Sequence, residues 1–394
     1  MTNQASKLQK HQLHEMADHS VAVITPDLAA GKAFVAELEK HLGQGVIVYR
    51  HDTKVAPRVI GNQITARLAQ VGEDLASAMT DVIEMGYYYL TIACNTLSLP
   101  GFVNRAKFSL AQSDTMQPHN YYLLTLYDVL FANQEKLKAS QKTLILGTMI
   151  TTCHMTNMGL RTLLNEHRVP LESEELETDK LLKGLISNLR KIKKNRVIAE
   201  QKRVIPLKKG IHPAGRNSFD HDSESSMSLP SHRQNGLLGQ TEDDCLVNSV
   251  LAELLAEDDW IELVKRQVQN NLMTMQERHS HLPQTEKVAR LVQDIIWRIK
   301  AVCGSDVSTA GTPYDDLASK SKLAARLLAL GYFLHKFGYK QVILACTELP
   351  IAWEILNALD PANLLDLQSI DPAVLLAQEL RKVLGVPEIS KQVV

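Results

Sequence analysis

Two stretches of this chain read as copies of one another, and that duplication restricts the fold more than any other feature. Met85 to Thr96 (MGYYYLTIACNT) and Phe337 to Glu348 (FGYKQVILACTE) each run Gly-Tyr, a short apolar segment, then Ala-Cys, with the Gly eight positions before the Cys. Ahead of the first copy, Leu68, Val71, Leu75, Met79 and Val82 recur at helical spacing, and ahead of the second Leu323, Leu327, Leu330, Leu334 and Phe337 do the same. Each copy therefore reads helix, Gly cap, buried strand, Cys. Repeated helix-strand units predict an α/β chain with parallel sheets.

A Cys that ends a buried strand and is followed by a polar step, Asn95-Thr96 or Thr347-Glu348, sits where open α/β sheets place their ligands, outside the carboxyl ends of the strands. A single such Cys reads as core, because free Cys is among the most buried residue types. The duplicated context, with Pro100 and Pro350 downstream as helix starts, makes two reacting thiols the stronger reading.

These residues resemble a known family. Ala93-Cys94-Asn95-Thr96 and Ala345-Cys346-Thr347-Glu348-Leu349-Pro350 are similar to the paired signatures of the cofactor-independent aspartate/glutamate racemase superfamily, and Leu146-Gly147-Thr148-Met149-Ile150-Thr151 is similar to its middle motif. The resemblance covers roughly residues 20 to 182 and 286 to 386. It implies two pseudo-symmetric flavodoxin-like α/β domains with the active site in the cleft between them. Catalysis is then expected from Cys94 and Cys346, and substrate contacts from Asn95, Thr96, Thr148, Thr151, Thr347, Glu348, Arg58 and Lys300. Glu348 resembles the aspartate-racemase branch, where glutamate racemases usually carry His. The glycine-rich turn that aspartate racemases usually have after the first strand is replaced here by Thr25-Pro26-Asp27.

Composition sets the outer limits. The chain has 394 residues, 45% of them hydrophobic, enough for two cores, and 43 basic side chains against 44 acidic ones give no general support for binding nucleic acid or membrane. Five Cys (94, 153, 245, 303 and 346) without a CxxC pair argue against disulfides and zinc and favour a reducing cytoplasm. No pyridoxal-type Lys motif or metal-ligand cluster stands out, so no cofactor and no metal are expected.

Taken in order, residues 1–19 read as a mobile polar tail, and residues 20–120 plus 366–388 as the first domain. Val21 to Ile24 and Val46 to Tyr49 are its first strands, and Arg58 follows in a loop where an Arg fork would suit a carboxylate. Residues 121–365 read as the second domain, with Tyr121 to Leu137 helical, Thr143 to Leu146 a strand, and then Leu160 to Val169 and a helix over Asp179 to Lys194 in the order the resemblance implies. From about 195 to 284 the pattern breaks into a basic run, a Gly/Ser/Pro-rich stretch and renewed helical spacing, which reads as a partly disordered insertion replaceable by a short linker. Leu364 to Leu367 reads as a strand and Asp371-Pro372 as the start of a last helix that packs back on the first domain.

Inversion at an α-carbon needs a proton removed from one face and one added to the other, which two thiols can do. An ordinary thiol has a pKa of about 8.5, so forming the thiolate at neutral pH costs about 2 kcal/mol, part of which a helix N-terminus could offset. The expected activity is racemisation of a small acidic amino acid, aspartate favoured and glutamate allowed. The expected partner is the small-molecule substrate, with a homodimer allowed. Two alternatives stand beside this: a sister isomerisation of the hydantoin-racemase or maleate-isomerase type, and a non-catalytic ligand-binding protein whose insertion docks a protein partner.

Overall fold

The structure, a computed structural model, describes residues 20–26, 28–43, 45–53, 64–112, 121–133, 135, 143–159, 162, 179–204, 242–273, 284–303 and 316–386. The N-terminal tail, Arg58, residues 205–241 and 274–283 of the proposed insertion and most of Leu160 to Val169 lie outside the described residues. The chain is a mixed α/β protein with two parallel sheets.

The first sheet has the order β2-β1-β3-β4, from β1 (Ser20–Thr25), β2 (Ile47–Asp52), β3 (Tyr89–Ile92) and β4 (Tyr122–Leu123). Its helices are α1 (Leu28–Leu42), α2 (Ile64–Glu84), α3 (Pro100–Ala111) and α4 (Leu126–Ala132). Every residue of β1 is buried, as a strand covered on both faces must be. The two-residue side-chain period divides it. Ala22 and Ile24 join Leu75 of α2 and Phe102 of α3 in one core, whereas Val21 and Val23 join Leu38 of α1 and Leu376 in another.

The second sheet has the order β5-β6-β7, from β5 (Thr143–Gly147), β6 (Gln341–Ala345) and β7 (Gln368–Ile370). Between β5 and β6 come α5 (Met149–Asn157), α6 (Lys180–Val204), α7 (Glu242–Ala256), α8 (Trp260–Met273), α9 (Gln284–Val302) and α10 (Lys320–Lys336); α11 (Leu349–Leu359) and α12 (Pro372–Leu384) follow. The last helix, α12, packs on α1 and α4 of the first half.

The duplicated stretches fold alike. Gly86 and Gly338 both have positive φ, 93° and 76°. Each ends its helix with the same bond pair: Gly86 N–H donates to Ile83 O and Tyr87 N–H to Val82 O, and Gly338 N–H donates to His335 O and Tyr339 N–H to Leu334 O. This is the left-handed cap that turns a helix into the next strand.

The observed elements differ from the expected ones in several places. Residues 364–367 form a turn in which the Asp360 carboxylate accepts from Leu364 and Leu365 N–H, and pairing with β6 begins only at β7. That pairing places the return to the first half at Asp371 rather than residue 366. Tyr121 to Leu137 is not one helix: Tyr122 and Leu124 N–H donate to Tyr88 and Leu90 O at the sheet edge, and a Thr125–Asp128 capping box then starts α4. β4 thereby belongs to the first sheet, so the second half begins after it. Within the 195–284 segment, residues 242–273 are not a surface excursion. Val250, Leu254, Trp260, Val264 and Val268 of α7 and α8 are buried in the same core as β5 and β6. The reason lies in α10, which is apolar nearly all round and needs cover on the side away from the sheet.

Candidate active site

Cys346 follows directly on β6 and Cys94 stands one residue beyond β3, each placed by its Gly cap and buried strand. Ala93 N–H extends the first sheet by donating to Ile24 O at 2.9 Å, and Cys346 N–H donates to Leu344 O at 2.7 Å. Pro100 and Pro350 both stand in the first turn of the following helix. Five residues separate Cys94 from α3, whereas two separate Cys346 from α11.

That difference in spacing sets two environments. Around Cys94 the longer turn folds back, with the N–H and Oγ of Ser98 both donating to Cys94 O, at 3.0 and 2.7 Å. Burial pushes the Cys94 thiol up to about 11, outweighing the downward pull of hydrogen bonds from the backbone N–H groups of Leu97 and Thr96. Forming its thiolate at pH 7 then costs roughly 5 kcal/mol rather than 2. Beside Cys346, Glu348 falls at the N-cap of α11 without capping it. Its Oε2 accepts instead from the Cys346 thiol at 2.7 Å and from Thr347 Oγ1 at 3.3 Å, while its Oε1 pairs with Lys300 Nζ of α9 at 2.7 Å. Burial raises the Cys346 thiol well above its ordinary value, and the Glu348 charge adds to it. Lys300 pulls both thiols down, and Cys94 lies within electrostatic reach of Cys346.

Three hydroxyls span the two halves. Thr96 Oγ1 lies 3.2 Å from Thr148 Oγ1 and 3.4 Å from Thr151 Oγ1, and Thr148 Oγ1 donates to Thr151 Oγ1 at 3.0 Å. Thr148 also caps α5 by accepting from Thr151 N–H. Gly147 permits this convergence, because a Cβ there would stand 2.9 Å from Ala345 O and 3.3 Å from the Thr151 side chain. Asn95 is 4% exposed and its Oδ1 has no hydrogen-bond partner.

The expected residues thus fall into connected groups: Cys346, Thr347, Glu348 and Lys300 in one, Thr96, Thr148 and Thr151 in another. Glu348 and Lys300 differ from expectation in that they engage each other and a thiol. Sequence reasoning missed the backbone N–H groups of Leu97 and Thr96 that face Cys94; the only signal was the longer gap between Cys94 and Pro100. Among the described residues no group of three or more His, Cys, Asp or Glu side chains could hold a metal ion, and no helix is long and apolar enough to cross a membrane. Compared with protein families, curated proteins and solved structures, the chain matches none of them.

Proposed function

We propose that the chain is a cofactor-independent racemase of a small acidic amino acid, aspartate first, related to the aspartate/glutamate racemase superfamily. On this reading the two sheets are the cores of two flavodoxin-like domains, and the enzyme works in a reducing cytoplasm where its thiols stay free. The observation that carries it is the pair of thiols at equivalent strand ends, coupled through the Lys300–Glu348 ion pair.

Protons balance across the two faces of the substrate. Glu348 takes the Cys346 proton, and the Cys346 thiolate removes the α-hydrogen from one face. The Cys94 thiol then delivers its own proton to the other face, leaving a Cys94 thiolate. The reverse reaction starts from that thiolate. Raised thiol values keep both groups protonated at rest, which suits the donor directly and makes the acceptor depend on Glu348 and Lys300. The Thr96, Thr148 and Thr151 hydroxyls are the donors offered to a substrate carboxylate, and burial strengthens those of Thr96 and Thr151.

A chirality-resolved assay in deuterated water tests this. With L-aspartate or D-aspartate, early product carries solvent deuterium at the α-carbon while unreacted substrate stays unlabelled. Labelling of the starting enantiomer as fast as product forms overturns the two-thiol scheme, and absence of turnover on every acidic amino acid overturns the racemase reading.

A further inference from the structure

Between α1, α11 and the start of α12 lies a cavity of about 340 Å³. None of Cys94, the three threonines or Lys300 lines it, but Cys346, Thr347 and Asn95 do. It therefore touches the Cys346 side of the candidate site through residues that the thiol chemistry leaves partly unexplained.

Its lining is chemically one-sided. Phe34, Leu126, Leu344, Ile351 and Trp353 give it an apolar wall. The charged residues on it are Glu37, Glu354 and Asp371 against Lys40, and Lys40 is itself paired with Glu37 at 3.2 Å. His41 holds the other oxygen of Glu37 at 2.7 Å. Asp371 spends one carboxylate oxygen on Ala373 N–H at 2.7 Å, and burial with the Glu37 charge pushes its carboxyl up to about 6, outweighing the downward pull of that N–H, His41 and Lys40. A further cation beside it would relieve it more. Asn95 also lines the cavity, and its buried, unpartnered Oδ1 is an acceptor that only an N–H or O–H donor satisfies.

We infer that this cavity is a binding site for a small organic ammonium ion with an apolar body, whose charge answers the carboxylates and whose body lies against Phe34 and Trp353. The site joins a helix of the first half to α11 of the second, so an occupant also braces the contact between them. It goes beyond the proposed racemisation and does not need it: binding is read without turnover, and an inactive protein that binds the ion leaves this inference intact.

Isothermal titration of the full chain at pH 8 with phenethylammonium, 2-phenylethanol and 3-phenylpropionate tests the chemistry. Phenethylammonium binds saturably at one site, the neutral alcohol at least tenfold more weakly, and the anion not at all. Asp371→Asn retains a helix-capping oxygen, and Glu354→Gln lies at an exposed position; each weakens the ammonium several-fold or more. Saturating phenethylammonium also slows iodoacetamide alkylation of Cys346 while the exposed Cys153 and Cys245 react as before. Equal affinity for the three probes, wild-type affinity in both variants, or alkylation of Cys346 unaffected by the probe overturns the inference.

Discussion

The Cys94 and Cys346 sites share a backbone frame and differ in chemistry. Helix, left-handed Gly cap, buried parallel strand and terminal Cys repeat almost bond for bond. After the Cys they diverge. A five-residue turn brings backbone N–H groups to the Cys94 sulfur, and a two-residue turn brings a carboxylate and its Lys to Cys346. A duplicated fold unit fixes where two reactive groups stand, while the few residues after each one decide what assists it.

The largest expected effects fall on the thiols. Cys94→Ser and Cys346→Ser each lower net inversion at least about 10³-fold, because an alcohol is a far weaker base than a thiol. The two variants keep exchange of opposite enantiomers with deuterated water, and retention of full inversion by either would break the assigned symmetry.

The comparison extends to the helices in front of each Cys. α2 has an exposed side, whereas α10 is covered by α7 and α8. Leu254→Ala, at a fully buried position of α7, should cost about 2–5 kcal/mol in denaturant unfolding. A loss under about 0.5 kcal/mol would return residues 242–273 to the status of a surface excursion.

Glu348→Gln sharpens the contrast between the sites. It leaves Lys300 beside Cys346 without its carboxylate, so the Cys346 thiol becomes more acidic and its alkylation by iodoacetamide faster, with a smaller change at Cys94. Turnover should nevertheless fall by about 10²-fold, because the proton acceptor is gone. Equal acceleration at both thiols would show that the carboxylate serves them alike.

An alkaline titration probes Cys94. Its folded value of about 11 lies above that of an ordinary thiol, so between the two the folded chain binds more protons than the unfolded one. Stability is then lost as pH rises from 9 to 11, by up to about 2–3 kcal/mol from this group. Cys94→Ala should flatten that slope in urea unfolding measured across this range.

The smallest effects test the shared frame. Gly86→Ala and Gly338→Ala each place a side chain at positive φ and should cost about 1 kcal/mol. Values differing by more than about 1 kcal/mol would show that the two caps carry unequal load.

Short-range signals are legible in the sequence because they act within a turn or a strand. The apolar runs 21–24, 143–146 and 342–345, the glycines at 86 and 338, and the prolines at 100 and 350 all stand where their chemistry requires. The strand expected at 364–367 is a turn instead, because Asp360, four and five residues upstream of the N–H groups it binds, holds that stretch in place. The helix α10 is apolar nearly all round over 323–334 (LAARLLALGYFL), which calls for cover on both faces, but its sequence does not say which helices supply it.

By itself the sequence determined the repeated helix-cap-strand unit, the parallel α/β class and the position of a Cys at the end of each copy, because each rests on periodicity and on the φ that only glycine adopts freely. Tertiary structure alone decided that Lys300 meets Glu348, that Thr96 meets Thr148 and Thr151, and that α7 and α8 close over α10. Those partners are 48 or more positions apart for every polar pair named. Nothing in the sequence local to either partner favours one distant group over another; the packing of two sheets and their helices chooses it.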